Sequence, residues 1–246
     1  MRASLSLAVG LVIYLGFFAT FLYFIGFVGN LLVPKSIDVG AGMAPLPAAL
    51  VDIGLIVLFG LQHSLMARPG FKRWWTRRVP PPLERSVYVL TATVTLIILM
   101  ALWRPIPAPV IWATGTPWLV LSIWVLFALG WAVLLLSTFL IDHFELFGLH
   151  QLWRQLRGAA EPPPSFRQPL LYRAVRHPLY LGFIIAFWAT PVMSAGHLLF
   201  SLAMTIYILI AIGYEERDLL ASIGTPYADY RRRVGMLIPG IGRARG

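Results

Sequence analysis

Residues 178–214, PLYLGFIIAFWATPVMSAGHLLFSLAMTIYILIAIGY, contain no Asp, Glu, Lys or Arg. Pro191, Ser194, Gly196 and His197 interrupt the run near its middle, so it reads as two apolar helices, about 179–193 and 197–214, folded back on one another. A hairpin returns both of its ends to one membrane face. Immediately before it stands Tyr172-Arg-Ala-Val-Arg-His-Pro-Leu-Tyr-Leu-Gly182, and immediately after it Glu215-Glu216. The fold therefore brings basic, aromatic and acidic groups together at one junction, which reads as a ligand site.

The chemistry of the parts suggests what that ligand is. Pro178 suits the first position of a helix, where its missing N–H has no partner and its φ is already helical. The free N–H groups of the first turn then form an anion site. Arg176 and His177 precede that turn and Tyr180 lies within it, so a carboxylate fits. Glu215 and Glu216 are expected at the end of the second helix, where the dipole disfavours carboxylates and a compensating cation or hydroxyl pair is needed. S-adenosylmethionine offers a carboxylate, an ammonium, a sulfonium and ribose hydroxyls. The competing reading is that Arg173, Arg176, Glu215 and Glu216 form interfacial ion pairs that close the hairpin.

Arg176-His177-Pro178-x-Tyr180-x-Gly182, Glu215-Glu216-x-x-Leu219, Gly224-x-x-Tyr227-x-x-Tyr230 and Ile238-Pro239 resemble the C-terminal signature of the isoprenylcysteine carboxyl methyltransferase and phospholipid methyltransferase superfamily. Within it, the segments 59–68, 72–77, 84–88 and 142–148 resemble the methanethiol S-methyltransferases. The resemblance implies a membrane enzyme that methylates methanethiol to dimethyl sulfide by SN2 transfer from S-adenosylmethionine to a thiolate. It also implies that Arg173, Arg176, His177, Pro178, Tyr180, Gly182, Glu215 and Glu216 hold the cofactor. Prenylcysteine or phospholipid methylation, and a non-enzymatic accessory membrane protein, are the alternatives.

Composition agrees on the class. With 59% hydrophobic and 12% charged residues in 246, the chain is a membrane protein, an all-α polytopic bundle of five to six transmembrane helices. The net charge of +10 does not indicate nucleic acid, because the basic residues lie in loops between apolar runs. Seventeen of the 20 Lys and Arg fall in 68–85, 154–176 and 217–245, which the positive-inside pattern places in the cytoplasm with both termini and the cofactor site. Cysteine is absent, which excludes disulfides, a thiolate nucleophile and cysteine-ligated metal.

In chain order, spans are expected at 5–28, 48–67, 86–103 and 117–141, each near the ~20 residues a bilayer core requires. The chain is expected to be a single domain, 1–246, with 1–150 as the substrate-side bundle and 165–246 as the cofactor-binding hairpin and tail. Asp52 lies near the external end of its span and is expected to reach water. His63 lies near the cytoplasmic end of the same span, where an ionisable group is a functional candidate. The fourth helix is expected to continue past residue 141, so that Asp142 and Glu145 share one face and His143 and His150 another. A histidine beside carboxylates abstracts protons. His143, oriented by Asp142 or Glu145, is thus the expected base for the thiol, with His63 second and no metal. Residues 151–168, with Pro162-Pro163-Pro164, read as a Pro-rich connection.

Overall fold

The computed structural model describes residues 3–160 and 166–243; the proline triplet at 162–164 lies outside them. In chain order the helices are α1 Ala3–Gly29, α2 Pro45–Ala67, α3 Pro69–Trp75, α4 Glu84–Leu102, α5 Pro117–Ile141, α6 His143–Leu146, α7 Leu149–Arg157, α8 Leu171–Ala174, α9 Pro178–Trp188, α10 Ala195–Ile223 and α11 Thr225–Arg233. Among the described residues, five stretches are long and apolar enough to cross a membrane: α1, α2, α4 with the 3-10 turn before it, α5 and α10. Their exposed faces carry large apolar side chains such as Val12, Leu15, Leu61, Leu121 and Ile206, as a bilayer requires. The chain is a multi-pass membrane protein.

Two elements depart from expectation. α9 stops at Trp188 rather than near 193, because Thr190 precedes Pro191 and a residue before proline is driven out of the helical region. At 11 residues it spans roughly 16 Å, about half of a bilayer core. α10 continues to Ile223, where Gly224 turns the chain with φ 73°. Glu215 and Glu216 therefore lie within the helix, and the argument from an unfavourable dipole at its end does not apply.

The chain forms two compact units. The first comprises Met1–Ile111, Asp142–Pro163 and Met193–Phe200. Here α4 packs against α1 and α2, and α7 lies on α1. Gly10 admits that approach, since a Cβ there would sit 2.1 Å from Leu152 Cδ1. At the opposite end of α1, Phe27, Trp103 and Phe200 form an aromatic core, and Trp103 Nε1 donates to Ile37 O at 3.0 Å. Asp52 does not reach water. It is fully buried and accepts from Arg104 N at 2.8 Å, capping the chain as it leaves α4.

The second unit comprises Trp112–Ile141, Pro164–Val192 and Ser201–Gly246. α5 and α9 touch backbone to backbone: a Cβ on Gly182 would lie 2.6 Å from Gly130 O, and one on Gly130 2.7 Å from Ala186 N. The hairpin is laced by Ser201 Oγ to Phe187 O at 2.7 Å and Trp188 Nε1 to Thr205 Oγ1 at 3.0 Å.

Candidate active site

In the second unit the hairpin does bring Arg176 and Glu216 together, 40 residues apart in sequence. Arg176 Nε donates to Glu216 Oε1 at 2.7 Å, and the same oxygen meets His177 Nε2 at 3.1 Å. Arg231 Nε lies 3.0 Å from Glu216 Oε2, a charge contact without hydrogen-bond alignment. His177 Nδ1 is 4.0 Å from Glu215 Oε2, whose side chain is 44% exposed. One buried carboxylate thus gathers three cationic or ionisable groups, while its neighbour on α10 stays open to solvent.

Arg176 itself is only 4% exposed. Its Nη1 donates to Arg231 O and Val234 O and its Nη2 to Gly242 O, so four of the five guanidinium N–H directions are engaged. The backbone joins in: Arg176 N donates to Gly235 O at 2.8 Å and His177 N to Met236 O at 3.1 Å. Arg176 therefore fastens the C-terminal tail along the approach to α9, and one of its N–H groups has no acceptor among the described residues. The ion-pair reading of the sequence holds for Arg176 and Glu216, whereas Arg173 is exposed and donates to Gln168 O. Pro178 opens α9 with His177 as its N-cap residue, and Tyr180 faces His177 at 5.8 Å between ring centroids. Gly182 has a packing role, the close approach to α5.

Three tyrosines border this centre. Tyr230 donates to Tyr172 O at 2.6 Å, and its phenol is pushed up to about 12 by burial, with Arg176 opposing and Glu216 assisting. Burial raises the Tyr172 phenol, with Glu215 adding to the effect. Tyr227 is 2% exposed and its hydroxyl has no hydrogen-bond partner among the described residues.

The first unit holds the other four histidines. α5 does not continue through Asp142: this residue takes φ 144° and ψ 90°, which breaks the helix. Its carboxylate caps α6 by accepting from Glu145 N at 3.0 Å and meets His150 Nδ1 at 3.0–3.1 Å. Glu145 is held in bidentate fashion by Arg154 at 2.8 and 2.9 Å and also accepts from Gln151. The expected pairing of His143 with either carboxylate on one continuous helix is thus replaced. The His143 ring is buried, and its Nε2 lies 2.8 Å from the Tyr14 hydroxyl. Phe144 and Phe147 surround it at 5.3 and 4.8 Å. Burial lowers the His143 pKa below its ordinary 6.5, with Asp142 opposing.

Asp142, Glu145 and His150 offer ligand atoms within 4.8 Å of one another, but their hydrogen bonds to each other and to Arg154 already account for that grouping. His63 stacks on Phe59 at 5.4 Å and lies 5.2 Å from the Tyr88 ring, with Nδ1 buried and unpartnered. Both histidines border one apolar cluster of Met66, Tyr88 and Val89, His63 through Tyr88 and His143 through Phe147. The turn between α6 and α7 is fixed by Gly148. Its φ is 89°, and a Cβ would meet Ser86 Oγ at 2.9 Å. Arg85 Nε donates to Leu146 O at 2.6 Å.

Sequence reasoning missed Tyr14, one of two tyrosines in a charge-free span with nothing to single it out. It also missed the tail carbonyls, because backbone acceptors leave no mark in a sequence, and the basic run 231–233 does not single out Arg231 as the one that meets Glu216.

No family model and no solved structure matches the chain. Curated relatives do. Methanethiol S-methyltransferase from Mycobacterium tuberculosis is 53% identical over 240 residues, covering 97% of this chain and 98% of that one. Methanethiol S-methyltransferase 2 from Bradyrhizobium diazoefficiens is 54% identical over 93% of this chain and 88% of its own. Nurim from Bos taurus is 34% identical over 68% of this chain and 66% of its own. Identity above one half across nearly the full length of both partners leaves one assignment: the chain belongs to the methanethiol S-methyltransferase family.

Proposed function

We propose that this protein methylates methanethiol to dimethyl sulfide, using S-adenosylmethionine as methyl donor held at the hairpin junction of the second unit. The observation that carries the reading is the family relationship over 97% of the chain. The residues of the junction fit such a donor. Glu215 presents an open carboxylate to an ammonium or to ribose hydroxyls, His177 and Tyr180 flank the first turn of α9, and Tyr227 carries a buried hydroxyl without a partner among the described residues. Arg173, Pro178 and Gly182 act around that site, Gly182 by packing. Arg176 contributes chiefly by fixing His177 and the tail. By the positive-inside pattern, this junction and both termini face the cytoplasm.

When bound, the donor supplies a methyl group on a sulfonium, and its transfer to the sulfur of methanethiol releases one proton. We assign that proton to His143. Burial favours its neutral imidazole at pH 7, and its Nε2 lies 2.8 Å from the Tyr14 hydroxyl, which holds the ring in place for proton transfer. Asp142 acts through its charge and as the residue that ends α5, Glu145 by anchoring α7, and His63 is the second candidate for the base. The test is headspace gas chromatography for dimethyl sulfide over purified protein with both substrates, beside Glu215→Ala, which leaves the Arg176–Glu216 pair in place. Dimethyl sulfide from the wild type alone supports donor, acceptor and junction together. Binding of the donor without dimethyl sulfide would exclude methanethiol and direct attention to lipid acceptors.

A further inference from the structure

We infer that the Tyr227 hydroxyl is a ligand-contacting group of the donor site, donating a hydrogen bond to an oxygen of the bound sulfonium nucleoside. The inference rests on the hairpin junction being that site.

Tyr227 and Tyr230 stand three residues apart on α11, with ring centroids 5.9 Å apart, and Phe166 packs edge-on against both at 5.8 and 5.4 Å. As packing units the two rings are equivalent, 2% and 3% exposed. Their hydroxyls are not. That of Tyr230 is satisfied by Tyr172 O, whereas that of Tyr227 is buried with no hydrogen-bond partner among the described residues. A buried hydroxyl without a partner opposes folding, and a bare phenyl ring would fill the same space without that cost. The charges acting on this phenol are those of Glu216, Arg176, Glu215 and Arg231, all members of the junction. Burial raises its pKa, so it stays protonated and available as a donor. The partner missing among the described residues is therefore an acceptor oxygen delivered to the junction, and a carboxylate or ribose oxygen of the nucleoside supplies one.

The argument predicts effects of opposite sign in the free and bound protein. For Tyr227→Phe, isothermal titration of the full chain in detergent with S-adenosylhomocysteine is expected to show about a tenfold rise in Kd. The unliganded variant should melt at the wild-type temperature or above. Tyr230→Phe is the control, expected to melt lower because it strips the Tyr172 carbonyl of its donor. Repeating the titration with methylthioadenosine, which keeps the ribose and lacks the amino acid, identifies the oxygen. A loss shared by both ligands assigns the ribose, and a loss confined to S-adenosylhomocysteine assigns the carboxylate. Unchanged affinity in Tyr227→Phe, or a lowered melting temperature without ligand, would overturn the inference and leave the hydroxyl to an internal water or a protein acceptor. If the wild type binds no S-adenosylhomocysteine, the donor-site reading falls and this inference with it.

Discussion

The Arg176 centre and the His143 pocket solve opposite problems. Around Arg176, a buried carboxylate and a buried guanidinium are neutralised by one another and by backbone carbonyls drawn from a distant part of the chain. Around His143, one weakly basic ring is kept among aromatic side chains, with the Tyr14 hydroxyl 2.8 Å from its Nε2. The first arrangement resists change because each member leaves a buried charge behind if its partner goes. The second holds its histidine neutral and ready to take a proton. Rigidity suits holding a charged donor, and a neutral ring buried among aromatic side chains suits a base for a small apolar thiol.

The sharpest attempt to break this contrast is Arg176→Ala. It orphans Glu216 and frees three tail carbonyls, so a loss of about 3–5 kcal/mol is expected in thermal unfolding in detergent, with Arg176→Lys unable to restore the fork geometry. A near-wild-type melting curve would show that the centre is not a structural one. His143→Ala is expected to behave the other way round, with little change in unfolding and about a hundredfold fall in the rate of dimethyl sulfide formation. Near-normal turnover would remove His143 as the base and promote His63, to be tested by His63→Ala.

Gly182→Val tests the packing assignment. Its side chain would collide with Gly130 O, and a loss of about 1–3 kcal/mol is expected. Weaker donor binding without destabilisation would instead return Gly182 to the cofactor site.

The smallest effect is the pH dependence of stability through His143. Its pKa in the fold lies below 6.5, so the unfolded chain binds the proton more readily. The stabilisation is complete above about pH 6.5 and is lost as the pH falls from there through the lowered pKa. Comparing wild type and His143→Phe between pH 7.5 and 5 should show the wild type losing melting temperature faster. Parallel slopes would mean that burial does not perturb the ring.

Much of the second unit was legible because charge is sparse in an apolar chain. A run without charge from 178 to 214 can only be a folded-back pair of helices, and that alone predicts the meeting of Arg176 with Glu216. The length of α10 was not legible. Tyr214 and the glutamates look like a polar boundary, yet nothing after them opposes a helix until Gly224, so the helix carries them past the apolar stretch. The clamped tail was invisible for a different reason: its acceptors are main-chain oxygens, which every residue possesses. In the first unit the spans followed from hydropathy, but Asp142 did not announce that it would break α5. Aspartate is common within and just after helices, and only its conformation here redirects His143 to Tyr14.

The tail that Arg176 fastens is made after all five membrane-crossing helices. During synthesis the helices can enter the bilayer while Glu216 and Arg176 still wait for the carbonyls of Arg231, Val234 and Gly242, so insertion precedes closure of the junction. The same order runs in reverse under proteolysis. A single cut between Val234 and Gly242 would unbuckle the junction while every membrane helix stayed in place, giving a protein that is fully inserted and inactive.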